Sequence, residues 1–430
     1  MQKIKLGDVL DVKRGASLSG DYYAEEGRYV RLTLGNFNYP GGGFKVNTSK
    51  NDIYFVGPIK PEFILNEGDI ITPLTEQVSG LLGETATIPE SQKYIQSGDV
   101  GLVIPDESKL DKRFTYYLIA SPIVKKQLGA AAQQTKIRHT SPDAIKACEA
   151  WIPEEISVQA SIGKLLDSMN EKIANNNLIC SNLESMAKLL YDYWFVQFDF
   201  PDENGKPYKS SGGKMVWNEE LKREIPDGWK VRSISDICDI VDCLHSKKPE
   251  YCFENSDCYL LTLENLTKEG HIDLSEKFYI SRADYDMWTS KIELQEGDFV
   301  ITNAGRAGDI GRIPKNVHCA IGRNLTAIRP KKISSIYLNM FLHSYYIQTQ
   351  IMSNLDQGSF FTSFNVHAIK KLMVLVPNES MMETAIHKFT DIVNRIEDLN
   401  AENQELASLR DFLLPMLMNG QVKVKEGETQ

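Results

Sequence analysis

The sequence predicts an α+β protein: two similar globular domains separated by two long antiparallel helices of coiled-coil type, as an internal pseudo-twofold repeat. Three observations lead there. Apolar residues recur at helical seam spacing in two long stretches. Before each of them, short β-rich runs are broken by Gly, Asn and Pro. The same order of signals returns after an offset of about 225–229 residues, a period too long for a solenoid and suited to a duplicated domain-plus-helix unit. The boundaries read as a first domain at 1–153, a central helix and linker at 154–229, and a second domain at 230–377. A distal helix at 378–420 and a solvated tail at 421–430 complete the chain.

Ile4 to Val12 opens the first domain as a strand pattern, and Val231 to Ile240 repeats it. Asn66-Glu67-Gly68-Asp69 and Gln295-Glu296-Gly297-Asp298 are matching turns, each feeding a β-rich run. Gly83 to Pro89 answers Gly308 to Pro314. The stretches YLIASPIVKKQLGAA and YLNMFLHSYYIQTQIM are the expected short helices, at matching positions. Ala144-Ile145-Lys146 ahead of Trp151-Ile152-Pro153 answers Ala368-Ile369-Lys370 ahead of Leu375-Val376-Pro377.

The central helix is expected over Ile156 to Phe198, stopped by Pro201. Ile162, Leu166, Met169, Ile173, Asn176, Cys180, Leu183, Ala187 and Leu190 follow one another at alternating spacings of four and three. Such a seam asks for a second long helix. The distal helix offers a capping box at Ser380 to Glu383, an apolar stripe and an Asn419-Gly420 stop. Ile386, Phe389, Val393, Ile396, Leu399, Leu406, Leu409 and Leu413 form the stripe. With the offset of 224 that holds here, Asn176 corresponds to Asn400. A polar seam residue fixes register and pairing, although an Asn is as ordinary on an exposed helix face. Trp194, Phe195 and Phe198 are expected to pack against the other helix or a partner, because base stacking would need a single-stranded substrate.

The net charge of −10 argues at first against nucleic acid. Most of that excess lies on the helical segments and their tails, while two windows in the globular parts are basic. Arg306, Arg312, Lys315, Arg323, Arg329, Lys331 and Lys332 face only Asp309. Arg113, Lys125, Lys126, Lys136, Arg138 and Lys146 face only Asp143. Matching basic windows in two halves of an acidic chain fit phosphate contact. No apolar run is long enough to span a membrane and the N-terminus lacks a signal-peptide core, so a soluble, cytoplasmic protein is expected. Seven cysteines, an odd number, suit a reducing compartment. Cys238, Cys243, Cys252 and Cys258 crowd around His245, but their spacings are looser than zinc pairs usually show, and packed, reduced cysteines are expected without a metal.

The sequence contains no phosphate-binding G-x-x-x-x-G-K-[ST] loop, no G-x-S-x-G elbow and no H-E-x-x-H helix. Pro201-Asp202-Glu203 with Lys206 lies in a polar loop, a poor place to hold a catalytic metal rigidly. The residues describe a scaffold that binds.

LLYDYWFVQFDFPDENGKPYKSSGGKMVWN followed by IPDGWKV resembles the central region of the specificity subunits of type I restriction–modification systems. The helix starts IPEEISVQASIGKLLDSMNEKIANN and VPNESMMETAIHKFTDIVNRIEDLN resemble that family's as well, though the second lacks a counterpart of Gln159. The resemblance covers essentially the whole chain. It implies two target-recognition domains that read an interrupted double-stranded DNA sequence, one half-site each, with no catalysis in this chain. It further implies two modification (methyltransferase) subunits bound at the helices, restriction subunits that complete the nuclease, and no membrane. S-adenosylmethionine, ATP and Mg²⁺ would belong to those partners. The alternative is an acidic structural or DNA-mimicking scaffold without sequence-specific binding.

The residues expected to face DNA combine flexible backbone with side chains suited to base edges. In the first domain these are Lys13, Arg14, Arg31, Lys136, Arg138 and His139; in the second they are Arg306, Arg312, Arg323 and Asn324. Each could equally be an ordinary surface side chain.

Overall fold

The computed structural model describes the chain except residues 40, 77–79, 132–137, 247, 254–256, 358–361 and 425–430. It divides into two compact units, Met1–Ile173 with Glu405–Gln430, and Ala174–Gln404. Each unit therefore holds one globular domain together with part of both long helices.

In the first unit, Gln2–Lys5 pairs antiparallel with Glu149–Ile152 and ties the two ends of the domain together. A four-stranded sheet runs in the order Leu10–Arg14, Val100–Pro105, Ile70–Pro73, Ala86–Thr87. A second sheet orders Tyr23–Ala24, Tyr54–Phe55, Tyr29–Arg31 and Tyr94–Ile95, the last two strands being parallel. Ile70–Pro73 is buried on both faces because successive side chains point opposite ways. Ile70 enters the core shared with Phe114, Leu118 and Ile162, while Ile71 enters the core under the second sheet with Val30, Leu65 and Tyr94.

The second unit repeats this plan. Lys230–Ser233 pairs with Met373–Val376. One sheet orders Cys238–Asp242, Leu325–Pro330, Phe299–Thr302 and Ile310–Arg312. The other orders Phe278–Tyr279, Tyr259–Leu261, Cys319–Ile321 and Glu293–Leu294, again with one parallel pair. Phe299 and Ile301 face one core and Val300 the other. A detail absent from the sequence reading recurs in both domains: Thr33 and Asn36, and likewise Thr262 and Asn265, close the same reciprocal capping box around a single 3₁₀ turn. The two expected short helices are each split in two. Lys112–Ala120 precedes Pro122–Ala131, and Ser335–Leu342 precedes Tyr345–Ser353.

The first long helix spans Ile156–Tyr191 and ends in a π turn at Asp192–Val196. It stops before Pro201, because Phe198 takes a left-handed backbone, φ +66°, with its ring fully buried. The second long helix spans Glu379–Met418. Its cap is Asn378, whose side chain accepts from the Met381 N–H at 3.0 Å, and not the expected box at Ser380. Gly420, at φ +74°, terminates it as expected.

The helices run antiparallel within each unit. In the first, Ile162 and Leu166 share a core with Leu414, Leu417 and Met418, and Leu413 packs alongside. In the second, Cys180 packs with Ile396 and Leu399, with Leu183 beside them. Asn176 is 2% exposed and donates to Glu402 at 2.8 Å and Asn403 at 3.0 Å. Asn400 instead faces Cys180, whose thiol reaches its side-chain oxygen at 3.9 Å. All nine seam positions are buried or half-buried, Met169, Ile173 and Leu190 among the latter. On the second helix Val393 is buried and Ile386 half-buried, but Leu409 is 45% exposed and leaves the stripe. Trp194 lies in the core of the second unit, edge-on to Phe389 at 6.2 Å.

Candidate nucleic-acid interface

The two domains share one backbone junction, where a strand end, a turn and a short ladder meet. In the first domain, Leu74 N–H donates to the Asp99 carbonyl at 2.8 Å, and Thr140 N–H donates to the Leu74 carbonyl at 2.9 Å. Thr75 then pairs with His139, and Glu76 with Arg138. In the second domain, Asn303 N–H donates to the Asn324 carbonyl at 2.8 Å, and Phe364 N–H to the Asn303 carbonyl at 2.7 Å. Ala304 bridges Ser363, the counterpart of the Thr75–His139 pair.

Three expected residues of the first domain, Arg14, Arg138 and His139, come together at its junction, while Lys13 precedes Arg14 on a strand whose successive side chains point to opposite faces. Arg14 ends the strand Leu10–Arg14 and donates to the Thr140 carbonyl at 3.3 Å, beside the ladder that carries Arg138 and His139. Lys13, Arg14 and His139 are exposed, and Arg138 is half-buried. The His139 ring lies 3.3 Å from the Thr75 hydroxyl. Lys136 lies outside the described residues. In the second domain Arg323 and Asn324 occupy the turn at the junction, both exposed.

Three expected residues are placed elsewhere or turned inward. Arg31 is 7% exposed; its guanidinium donates to the Asp52 carbonyl at 3.0 and 3.1 Å and stacks 3.8 Å from the Tyr23 ring. Arg312 pairs with Glu397 of the second long helix and donates to Ser335 at 3.0 Å, fastening the domain to the helix. Arg306 spends one end of its guanidinium on the Leu263 and Leu266 carbonyls and lies 3.4 Å from Asp309. In each case a cation that sequence assigns to the surface is taken up by part-buried carbonyls or a part-buried carboxylate.

Each domain is also fixed to the helices of its unit. Gln159 is fully buried and bonds the Lys109 and Pro153 carbonyls and the Asp111 N–H. Tyr117 donates to Asp167 at 2.7 Å, and Arg410 of the second long helix donates to the Gly41 carbonyl at 3.3 Å. Cys238, Cys243 and Cys258 are buried and Cys252 half-buried. Among the described residues the only compact metal-ligand grouping is Asp242, Cys243 and His245, and it includes none of the other three cysteines. His245 and Asp242 already bond each other at 2.8 Å, and burial pushes the Cys243 thiol up.

One surface feature escaped the sequence reading. Ile179, Met186, Leu189, Tyr193 and Val196 follow one another at spacings of seven, three, four and three on the first long helix and its π turn. They are 40, 59, 70, 39 and 39% exposed. This is a second apolar seam, offset from the one that joins the helices, and its side chains stay exposed among the described residues of their unit.

Comparison with known proteins agrees with this architecture. The type I restriction enzyme MjaIX specificity subunit of Methanocaldococcus jannaschii is 21% identical over 331 residues, 75% of this chain and 72% of its own length. The EcoBI specificity subunit of Escherichia coli is 22% identical over 369 residues, 83% of this chain and 71% of its own. The crystal structure of a type-I restriction-modification S subunit from M. genitalium shares the fold with a TM-score of 0.58, at 16% identity over 97% of this chain and 96% of that one. Residues 1–198 and 226–408 match the type I restriction modification DNA specificity domain, once in each half, and the chain belongs to that family.

Proposed function

We propose that this chain is the DNA-reading subunit of a type I restriction–modification complex, recognising an interrupted double-stranded target with one half-site per domain. The observation that carries this reading is the junction repeated in both domains, which presents Arg14, Arg138 and His139 in one and Arg323 and Asn324 in the other. Arg and Asn side chains suit base edges in the major groove, and the cations beside them suit phosphates. The chain performs no chemical step. S-adenosylmethionine, ATP and Mg²⁺ would serve the partner subunits, and the assembly would work in the cytoplasm.

The exposed seam from Ile179 to Val196 supports a partner role for the helices. It offers two modification subunits, and through them the restriction subunits, an apolar helix face to pack against. An acidic DNA mimic would have no use for exposed cations at the junction of each domain.

Replacing residues 1–152 by the corresponding domain of a relative tests the reading, with the methylated sequence mapped in a host that carries the modification subunits. One half of the target should change and the other persist. A change in both halves would overturn the assignment of one half-site to each domain.

A further inference from the structure

The turn Gly322-Arg323-Asn324 joins Cys319–Ile321 to Leu325–Pro330, and its backbone is fixed from two sides. Gly322 N–H donates to the Leu261 carbonyl at 2.9 Å, and a Cβ at Gly322 would lie 2.2 Å from that oxygen, so only glycine fits. Asn324 sits in the left-handed region at φ +64°, with its carbonyl held by Asn303. Asn303 is itself locked: its side-chain oxygen accepts from Thr326 at 3.0 Å and its amide donates to the Phe364 carbonyl at 3.1 Å. Yet the side chains of Arg323 and Asn324 are exposed, and among the described residues no hydrogen bond or ion pair engages either.

A rigid backbone carrying two free, chemically specific side chains is what a preorganised reader needs, because little ordering remains to be done on binding. Arg donates in parallel to guanine O6 and N7; Asn bonds adenine N6 and N7. Resting on the DNA-reading role proposed above, we infer that Arg323 and Asn324 are the base-reading pair of the second domain, and that its half-site contains a guanine next to an adenine, contacted from the major groove.

The first domain reads by a different element of the same junction. Gly98 stands where Arg323 stands, and the Asp99 carboxylate accepts from Thr75 at 2.8 Å instead of facing outward free. Its ladder strand carries Arg138 and His139, where the second domain has Thr362 and Ser363. The two half-sites are therefore met by the turn in one domain and by the ladder in the other.

The test maps methylated sequences made by the full chain with its modification subunits, using Arg323→Ala and Asn324→Gly, the latter chosen because glycine keeps the positive φ. Unchanged melting of both variants guards against misfolding. The half-site of the second domain is identified by its persistence when residues 1–152 are exchanged. Arg323→Ala should lower discrimination at one guanine about 5- to 150-fold, and Asn324→Gly should do the same at the adjacent adenine, with the first half-site unaffected. A second half-site without adjacent guanine and adenine would overturn the inference. So would equal weakening on all sequences with preferences intact, which would make Arg323 a phosphate contact. Either outcome leaves the DNA-reading role standing; absence of any sequence preference in the unaltered complex would remove that role as well.

Discussion

Arg312 separates a structural role from a DNA-contacting one, and its removal has a calculable cost. Its side chain is 9% exposed and that of Glu397 is 14%, so solvent screens the pair little. The second Glu397 oxygen is buried with no partner, and burial pushes the carboxyl above its ordinary value while Arg312 pulls it back. Arg312→Ala therefore strands a buried acid and should cost about 3–5 kcal/mol. If the second unit unfolds as one body, its melting temperature should fall by about 6–20 °C. The pH dependence has a definite sign. A folded-state pKa raised above the unfolded one gives stability that is present below the unfolded value of 4.5 and is lost as pH rises through the folded value. Without Arg312 that rise is larger, so the deficit of the variant should be greatest near neutrality and shrink on acidification towards 4.5. Calorimetry of the unaltered chain and the variant at several pH values measures this directly. The paired replacement Arg312→Met with Glu397→Leu should restore most of the stability, since apolar pairs substitute for buried ion pairs at little cost. A pH-independent deficit below about 1 kcal/mol would refute the reasoning. So would a stable paired variant that has lost DNA discrimination, which would return Arg312 to the DNA surface.

Three further outcomes follow from the same structure. Met186→Glu with Leu189→Glu should leave stability within about 0.5 kcal/mol, both sites being exposed, yet abolish co-purification of the modification subunit; retained assembly would place that partner on another surface. Asn176→Ala should cost about 1–2 kcal/mol in denaturant unfolding by removing two buried hydrogen bonds across the helix pair, and an unchanged midpoint would show that these bonds are made equally well by water. Arg31→Ala should destabilise the first domain by about 1.5–3 kcal/mol without altering the methylated sequence, and an altered sequence would count Arg31 among the DNA contacts.

The sequence by itself determined the plan of this protein: duplicated α+β domains, two long helices and the seam that joins them. Those features are periodic, and periodicity survives in one dimension; Ile162, Leu166 and Cys180 are readable as a seam because a helix places every third and fourth residue on one face. Local chemistry of the same kind, such as the Gly420 stop, was equally legible. What only the tertiary structure decided was the fate of individual polar side chains. Arg31, Arg306, Arg312, Arg323 and Arg138 look alike in sequence, yet the first three meet backbone carbonyls or a carboxylate brought from 21 to 85 positions away, while the last two remain at the junction. The same holds for Asn176, whose partners Glu402 and Asn403 lie some 226 positions along the chain. A guanidinium's role depends on which distant acceptors the fold delivers to it, and that information resides in the packing of the sheets and helices and not in its neighbours along the chain.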